Sequence, residues 1–291
     1  MNKGGIDDVE FEVARIQSAA NALGMVGGAP DTAHRLLVTL CDRGVGLKQI
    51  IELIARDPGL TARVLKVANS AFYGRPRHVD TLERAIAILG LDAVRGIAAA
   101  ACLDRSLPTG PAAPLADMTQ FARHSVATAL AAEQLARLRH PELASEAFIA
   151  GLLHELGAVV QAKVDPDGFR KLVDSLHADP SQDVIEVEKR CVSVSQERCV
   201  SVVFKLWLLP EALTHSVCHH HRPNQVSAAY RPLTDLVFLG NHASLVAGAV
   251  FSAEPAPVGS PTESLGVVGV SEEDLQVVVD GLPARTNAFL E

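Results

Sequence analysis

Apolar residues recur at intervals of three and four along nearly the whole chain, and this periodicity limits the possible folds more than any other feature. Such spacing gives each helix one apolar face, whereas a half-buried strand needs apolar and polar residues to alternate. Alternation with β-branched residues is confined to the stretch around residues 192–203. The sequence therefore predicts an all-α fold, and its hydrophobic fraction of 48% over 291 residues is ample for a core.

Helix-breaking residues divide this pattern into segments. Short candidate helices cover residues 32–41, 47–55, 58–68, 81–89 and 91–102, and longer ones cover 116–139, 142–163, 186–208, 210–220 and 230–250. The prolines and glycine of residues 107–114 oppose helix and indicate a linker. We therefore predict an N-terminal extension at 1–29, a helical subdomain at 30–106, a second helical subdomain at 115–250, and a loop with a C-terminal helix at 251–291. Within the last part, residues 252–262 are expected to be a mobile loop and 271–279 a short helix.

Charge and cysteine content argue against several classes of protein. Aspartate and glutamate number 34 against 26 lysines and arginines, so the net charge of −8 disfavours nucleic acid and anionic membranes as partners. The five cysteines are odd in number and form no CxxC pair, which favours a reducing compartment over a disulfide framework. The acidic start lacks the apolar core of a signal peptide, and no unbroken apolar run approaches about 18 residues. We therefore expect a cytoplasmic protein.

The segment AFIAGLLHELG (residues 147–157) places adjacent His154 and Glu155 late in a strongly apolar helical stretch. Consecutive helix positions differ by about 100°, so both side chains reach one metal ion only from a helix flank that faces a cavity. His124, some thirty residues upstream in FARHSVATALAAEQLA, is the natural third ligand. A histidine on an apolar helix face is, however, more often a hydrogen-bonded core residue than a ligand, and the sequence leaves both interpretations open.

Four motifs together indicate a family. ARDPGLTARVLKVANSAFYG (residues 55–74), DTLERAIAILGLDAVRGI (80–97), AFIAGLLHELG and WLLPEALTHSVCHHHRP (207–223) occur in this order. In order and spacing they resemble the HD-related output domain (HDOD) family, a signalling branch of the HD metal-dependent phosphohydrolases, over about residues 30–250. The resemblance implies a short-helix N-terminal subdomain packed on an HD-like helical subdomain, and a signalling role with no established general reaction.

The same resemblance exposes departures from the metal-binding pattern of the HD enzymes, which use an early His, an adjacent His-Asp pair and a late Asp. Glu155 stands in place of the paired Asp, Gln196 stands where relatives commonly have His, and Asn241 appears in place of the late Asp. A neutral amide is a poor substitute for imidazole at a transition metal. One carboxylate would then remain, so we expect a vestigial or weak site, no required cofactor and no catalytic residue.

Further histidines follow the tryptophan motif. His220 and His221 match the paired histidines of the family and are candidate metal ligands with His124, His154 and Glu155. A rival site is the run His219, His220 and His221 with His215, which lies four residues before His219. Histidines at a helix C-terminus, however, also stabilise its dipole.

The leading hypothesis is a non-catalytic bacterial signal-transduction module that binds a signalling protein or a small regulatory ligand. One alternative is a divalent-metal phosphohydrolase that acts on a nucleotide or phosphodiester through His124, His154 and Glu155. Another is a sensor that binds a nucleotide such as a cyclic dinucleotide without hydrolysing it. For either alternative, the cavity could draw positive charge from Arg123, Arg198 and Arg222.

Overall fold

The computed structural model describes residues 3–22, 45–69, 79–91 and 118–290, except positions 252, 255 and 258, together with residues 39, 94 and 97. Its helices are α1 (Lys3–Ala22), α2 (Leu47–Ala55), α3 (Pro58–Ala68), α4 (82–91), α5 (Met118–Arg139), α6 (Ala144–Leu153), α7 (Leu156–Val164), α8 (Pro166–Ala178), α9 (Val184–Cys191), α10 (Gln196–Leu206), α11 (Glu211–Cys218), α12 (Arg231–Val246), α13 (Thr262–Val268) and α14 (Glu272–Leu290). Short 3₁₀ turns lie at Pro141–Leu143 and Pro223–Gln225. Within these ranges, β-type pairing is confined to one isolated antiparallel bridge between Phe251 and Glu254. The all-α prediction is confirmed.

Helix α5 lies at the centre of the C-terminal half and packs against α6, α12 and α14. Two glycines allow the close approach of its neighbours. A Cβ atom on Gly151 of α6 would lie 2.9 Å from Cα of Ala129, and one on Gly240 of α12 would lie 2.7 Å from the carbonyl oxygen of Thr128. Both contacts are with the backbone of α5, which cannot move aside as a flexible side chain can. The two glycines therefore fix α6 and α12 against α5.

The helix predicted at residues 142–163 is interrupted at His154 and Glu155, where α6 ends and α7 begins. The imidazole Nδ1–H of His154 donates to the carbonyl oxygen of Gly151 over 2.7 Å, and Glu155 leaves helical geometry with φ −97° and ψ 9°. The prediction of one continuous helix was wrong, and the break is what changes the direction of these two side chains.

The helix predicted at residues 186–208 is also two helices. Val192 is extended, with φ −115° and ψ 152°, and Ser195 caps α10 by accepting a hydrogen bond from the Arg198 amide. An N-cap of this kind satisfies one of the amides that a helix start leaves without a partner. Gln196 therefore stands in the first turn of a new helix.

The segment after α12 differs from the mobile loop that the sequence predicted. Phe251, Ala253 and Glu254 are buried, and Phe251 lies edge-on to Phe121 of α5. Helix α14 is longer than the predicted 271–279, because Leu282 and Thr286 continue its buried face.

The N-terminal extension contains α1, which packs against α7 and α10. Glu12 accepts a hydrogen bond from Arg198 over 2.7 Å, and Arg15 donates to the Val164 carbonyl over 3.2 Å. The helix predicted at 32–41, apart from residue 39, and the linker predicted at 107–114 lie outside the described residues. The proposed domain boundaries stay predictions.

Residues Pro141–Val164 contain a stretch long and apolar enough to meet the composition expected of a membrane span, and the mean hydropathy of that stretch is 1.5. Of their most apolar stretch, 89% is buried inside the protein. Their apolar character is therefore explained by their place in the helical core.

Candidate metal centre

Six side chains from four parts of the chain meet at one end of α5. His124 comes from α5, His154 and Glu155 from the break between α6 and α7, His220 and His221 from the turn after α11, and Glu254 from the segment after α12. Five of them are at most 3% exposed, and His221 is 16% exposed. The histidine and glutamate side chains therefore form a buried polar cluster within an apolar core.

Three of the imidazoles are oriented in the same way. Nδ1 of His124 lies 2.7 Å from the Ala249 carbonyl, Nδ1 of His154 lies 2.7 Å from the Gly151 carbonyl, and Nδ1 of His220 lies 2.7 Å from the Val217 carbonyl.

A carbonyl oxygen only accepts hydrogen bonds, so each Nδ1 carries the proton and each Nε2 of a neutral ring presents a lone pair to the cluster. Histidines that bind metals are held in this way, with one ring nitrogen bonded to a carbonyl and the other on the ion.

The two carboxylates are each held by an amide. Gln196 donates from Nε2 to Oε2 of Glu155 over 2.9 Å, which leaves Oε1 facing the imidazoles. Asn241 donates from Nδ2 to Oε1 of Glu254 over 2.8 Å. Among the described residues, Oε2 of Glu254 and Nε2 of His220 have no hydrogen-bond partner although both are buried. Buried polar atoms rarely lack a partner, and these two face a place where a cation would satisfy them.

The distances between the facing atoms, 3.0–3.9 Å, bracket those expected between ligands of one ion. Nε2 of His124 lies 3.0 Å from Nε2 of His154 and 3.7 Å from Oε2 of Glu254. Oε1 of Glu155 lies 3.9 Å from Nε2 of His154. With bonds of about 2.0–2.2 Å from zinc to nitrogen or oxygen, two ligands of a tetrahedral ion are separated by about 3.3–3.6 Å. The cluster therefore fits a divalent metal ion.

Burial sets the protonation of the imidazoles. It lowers the pKa of His124, and it lowers the pKa of His154 well below the ordinary value, with His124 adding to the effect. Burial together with the adjacent His220 lowers the pKa of His221 to about 3. Neutral rings are the form that binds metal ions, so these side chains need not lose a proton to do so at neutral pH.

The two carboxyl groups behave differently. Burial raises the pKa of Glu254 well above its ordinary value, and the nearby Glu155 raises it further. Burial also raises the pKa of Glu155, but the facing imidazole of His220 more than offsets this and lowers it below the usual range. Two carboxyl groups in one buried cluster do not both ionise readily unless a cation lies between them.

The donor set indicates which ions suit the cluster. Imidazole favours zinc, iron and other transition metals, whereas magnesium and calcium take oxygen ligands. Four imidazoles and two carboxylates therefore favour Zn²⁺, Fe²⁺ or Mn²⁺ over Mg²⁺ or Ca²⁺. A bound ion of this kind would supply Lewis acidity and would hold the contributing helices together.

The five candidate ligands named from the sequence, His124, His154, Glu155, His220 and His221, are all brought together. The sequence reasoning missed Glu254. Its signal was an acidic residue in the apolar stretch FSAEPAP, which had been interpreted as a mobile loop. The sequence predicted that Glu155 would be the one carboxylate left among the candidate ligands. That number was too low, because Glu254 supplies a second carboxylate, which Asn241 orients.

The rival histidine site is formed only in part, because His220 and His221 join Glu155 in a possible metal-binding group whereas His215 and His219 do not. Nδ1 of His219 bonds the His215 carbonyl, the ring of His215 stacks on Tyr230, and neither histidine belongs to a metal-binding group among the described residues.

The arginines considered for the cavity are each paired with other side chains, and of the three Arg222 also lines the cleft described below. Arg123 donates to Asn287, Arg198 to Glu12, and Arg222 to Asp183 and Glu186.

A cleft of about 420 Å³ adjoins the cluster at His221. It lies between the start of α9, the turn after α11 and the start of α13, and its lining includes Arg222, Phe238 and Glu263. The cleft gives the cluster a route to solvent through its most exposed ligand.

Comparison with known proteins is consistent with this fold. The chain is 23% identical over 238 residues to an uncharacterized protein of Treponema pallidum (strain Nichols), which covers 80% of this chain and 45% of that protein.

Among solved structures, one from Marinobacter aquaeolei VT8, provisionally named a signal transduction protein, has a TM-score of 0.77 at 22% identity, over 95% of this chain and 64% of that one. The chain thus spans less than two thirds of either relative.

Two further structures match over nearly their full length. An HDOD domain protein of Geobacter sulfurreducens has a TM-score of 0.71 at 22% identity, with 97% of this chain and 96% of that one covered. A protein of Shewanella amazonensis SB2B, provisionally named a phosphohydrolase, has a TM-score of 0.69 at 20% identity, with 93% and 94% covered. The HDOD domain family itself matches residues 26–223, more than half of the sequence, and the chain therefore belongs to the HDOD family.

Proposed function

We propose that this chain is a metal-dependent signal-transduction module, in which a divalent transition-metal ion holds the HD-like helices in the form that a signalling protein or a small regulatory ligand recognises. The observation that carries the proposal is the common orientation of His124, His154 and His220. Each ring donates Nδ1–H to a backbone carbonyl and turns Nε2 toward the buried carboxylates.

The way the ligands are supplied favours a regulatory ion over a catalytic one. Structural zinc sites are completed by protein side chains, whereas catalytic sites keep an open position for water or substrate. Here one group of four side chains, each at most 3% exposed, could complete the coordination of one ion: His124, His154, Glu155 and Glu254. Phosphoryl transfer also calls for positive charge around the phosphate, and Arg123, Arg198 and Arg222 are paired with other side chains. We therefore place hydrolysis second.

The test is the metal content of protein purified without an affinity tag or chelator, measured by elemental analysis. We expect near-stoichiometric zinc, iron or manganese in the wild type, and loss of most of it in His154→Ala. The matched control is His177→Ala, which removes an exposed histidine of α8 and should retain the metal. Circular dichroism checks that each variant is helical. A wild type that holds no metal, as purified or after incubation with Zn²⁺, Fe²⁺ and Mn²⁺, would overturn the proposal.

A second candidate, a phosphohydrolase, is favoured by one observation, the cleft that reaches the cluster at His221. Its volume suits a nucleotide-sized ligand. Metal-loaded protein would be incubated with phosphomonoesters, nucleotides and cyclic dinucleotides, and released phosphate or cleaved product would be measured. Turnover that is lost in His154→Ala would favour the hydrolase. Saturable binding of a nucleotide without product would instead identify it as the small regulatory ligand.

A further inference from the structure

The cleft between the starts of α9 and α13 has more carboxylates than cations around it. On the side of α9, Nη2 of Arg222 donates to Oδ2 of Asp183 over 2.9 Å and to Oε1 of Glu186 over 3.2 Å. Arg222 and Asp183 both line the cleft. One guanidinium group is therefore shared between two carboxylates on this side.

The side of α13 repeats this arrangement. Arg231 donates from Nε to Asp235 over 2.7 Å and from Nη2 to Glu263, a lining residue, over 3.0 Å. Taken together, the four carboxylates and two guanidinium groups leave two negative charges in excess. A divalent ion in the metal centre would be balanced by the carboxylates of Glu155 and Glu254, so metal binding would not remove this excess.

The carboxylates are also more exposed than the guanidinium groups that they share. The side chains of Asp183, Glu186 and Glu263 are 46%, 56% and 64% exposed. Those of Arg222 and Arg231 are 28% and 18% exposed. An incoming ligand therefore meets the carboxylates first, and this surface attracts cations and repels the phosphate groups of a nucleotide.

The rest of the lining suits a cation that carries an alkyl stem. Val184, Ile185 and Phe238 supply apolar surface, on which such a stem packs, and an aromatic ring attracts a cation placed over its face. The side-chain oxygens of Asn224 and Gln225 add acceptors for the N–H groups of the ligand. The volume of about 420 Å³ lies within the range of about 300–1,000 Å³ that is usual for ligand sites.

From the cavity, its charge and its apolar wall, we infer that the cleft binds an organic cation, an amine or guanidinium group on an alkyl stem. The same chemistry is presented by a free small molecule and by a lysine or arginine side chain of a partner protein. The role of this ligand in signalling rests on the proposed function. Because His221 lines the cleft, the bound cation lies beside the metal centre.

The experiment is isothermal titration calorimetry of the full chain with two probes. Agmatine represents the free cation, and a capped tripeptide with arginine between two leucines represents the protein segment. We expect saturable binding, and Glu263→Gln, which keeps the side-chain shape and removes one charge, should raise the Kd by about tenfold. The matched control is Glu273→Gln, which removes the same charge from the exposed first turn of α14, outside the cleft lining, and should leave the Kd unchanged. Tighter binding of agmatine would identify a free ligand, and tighter binding of the tripeptide a protein segment.

Three results would overturn the inference: binding of neither probe, binding that the two glutamine variants weaken equally, or binding of AMP in place of both probes. The metal content of the same samples separates this inference from the proposed function. Protein that holds metal but binds neither probe would overturn the cation site alone. Protein that binds a probe through Glu263 but takes up no metal would overturn the proposed function and leave the cation site standing.

Discussion

Asn241 donates a hydrogen bond from Nδ2 to Oε1 of Glu254 over 2.8 Å, with both side chains buried. From the sequence, Asn241 was interpreted as the replacement of an aspartate ligand. In the structure its amide orients the carboxylate of Glu254, which comes from a different segment. Replacing Asn241 with alanine removes this donor and leaves all six candidate ligands in place. Because outer contacts of this kind orient metal ligands, we expect the Kd for Zn²⁺ to rise by about 10- to 100-fold with the metal stoichiometry unchanged.

The measurement is a competition titration with a zinc-binding dye. Asn287→Ala is the matched control, since it removes an exposed asparagine that bonds Arg123 and belongs to no metal-binding group among the described residues. Equal affinities for Asn241→Ala and the wild type would show that Glu254 does not depend on Asn241 for its position.

Gln196 has the corresponding role for Glu155. Its Nε2 atom donates to Oε2 of Glu155 over 2.9 Å and to the His154 carbonyl over 3.1 Å. Gln196→Leu keeps the approximate volume and removes both bonds beside a buried carboxylate. We expect the free energy of unfolding of the metal-free protein to fall by about 1.5–3 kcal/mol, as for hydrogen bonds to charged groups, measured by urea denaturation.

Gln276→Leu, in which the lost hydrogen bond is an exposed one to Asp280 on α14, should change that free energy by less than about 0.5 kcal/mol. If the two leucine variants were equally stable, the contact between Gln196 and Glu155 would contribute nothing measurable.

Asp165 provides a test of pH dependence at a distance from the centre. It caps α8, accepting the Gly168 amide over 3.0 Å, and it also accepts the Ser193 amide over 2.8 Å. Burial raises the pKa of Asp165, but the two backbone amides more than offset this, so its pKa lies below the ordinary value. The folded state therefore favours the ionised form, and the resulting stability is present above about pH 4 and is lost as pH falls through the lowered pKa.

We expect Asp165→Ala to lower the free energy of unfolding at pH 7 by about 1 kcal/mol, the usual cost of a lost N-cap. Asp165→Ser keeps a capping oxygen without a titrating group. The stability difference between the wild type and Asp165→Ser should shrink between pH 5 and pH 3, measured by urea denaturation at each pH. A difference that stays constant over this range would contradict the assignment.

The helical fold could be predicted because its signal is local, and the five candidate ligands could be predicted because they lie in motifs that resemble those of the family. Periodicity fixes helices, and the motif spacing placed His124 on the helix before His154 and Glu155. Glu254 could not be predicted in this way, because its burial depends on Phe251 packing against Phe121, a contact between residues far apart in the chain.

The break at residues 154–155 was missed for a similar reason. The stretch around it is continuously apolar, and periodicity gives no sign that the ring of His154 bonds back to the Gly151 carbonyl. A helix end made by a side chain, with no proline or capping residue, has little local signal.

Gly151 links the packing of α6 against α5 to the geometry of the metal centre. A Cβ atom there would lie 2.9 Å from Cα of Ala129, so in Gly151→Ala helix α6 must move away from α5. Overpacking of this kind costs about 1–3 kcal/mol in the free energy of unfolding. His154 lies three residues further along and its Nε2 atom is 3.0 Å from that of His124, so the same movement should separate the two rings and weaken metal binding.

Gly281→Ala is the control, and we expect it to change the free energy of unfolding in the opposite direction. Gly281 lies in α14, and a Cβ atom on it would meet nothing within 4 Å. Alanine is the better helix former by about 0.5–1 kcal/mol, so this variant should be more stable than the wild type and should bind metal with unchanged affinity. If Gly151→Ala lost stability but kept its metal affinity, the ligand geometry would be independent of the α5–α6 spacing. Loss of both in Gly151→Ala, with neither lost in Gly281→Ala, would show that the close approach of these two helices sets the position of the ligands.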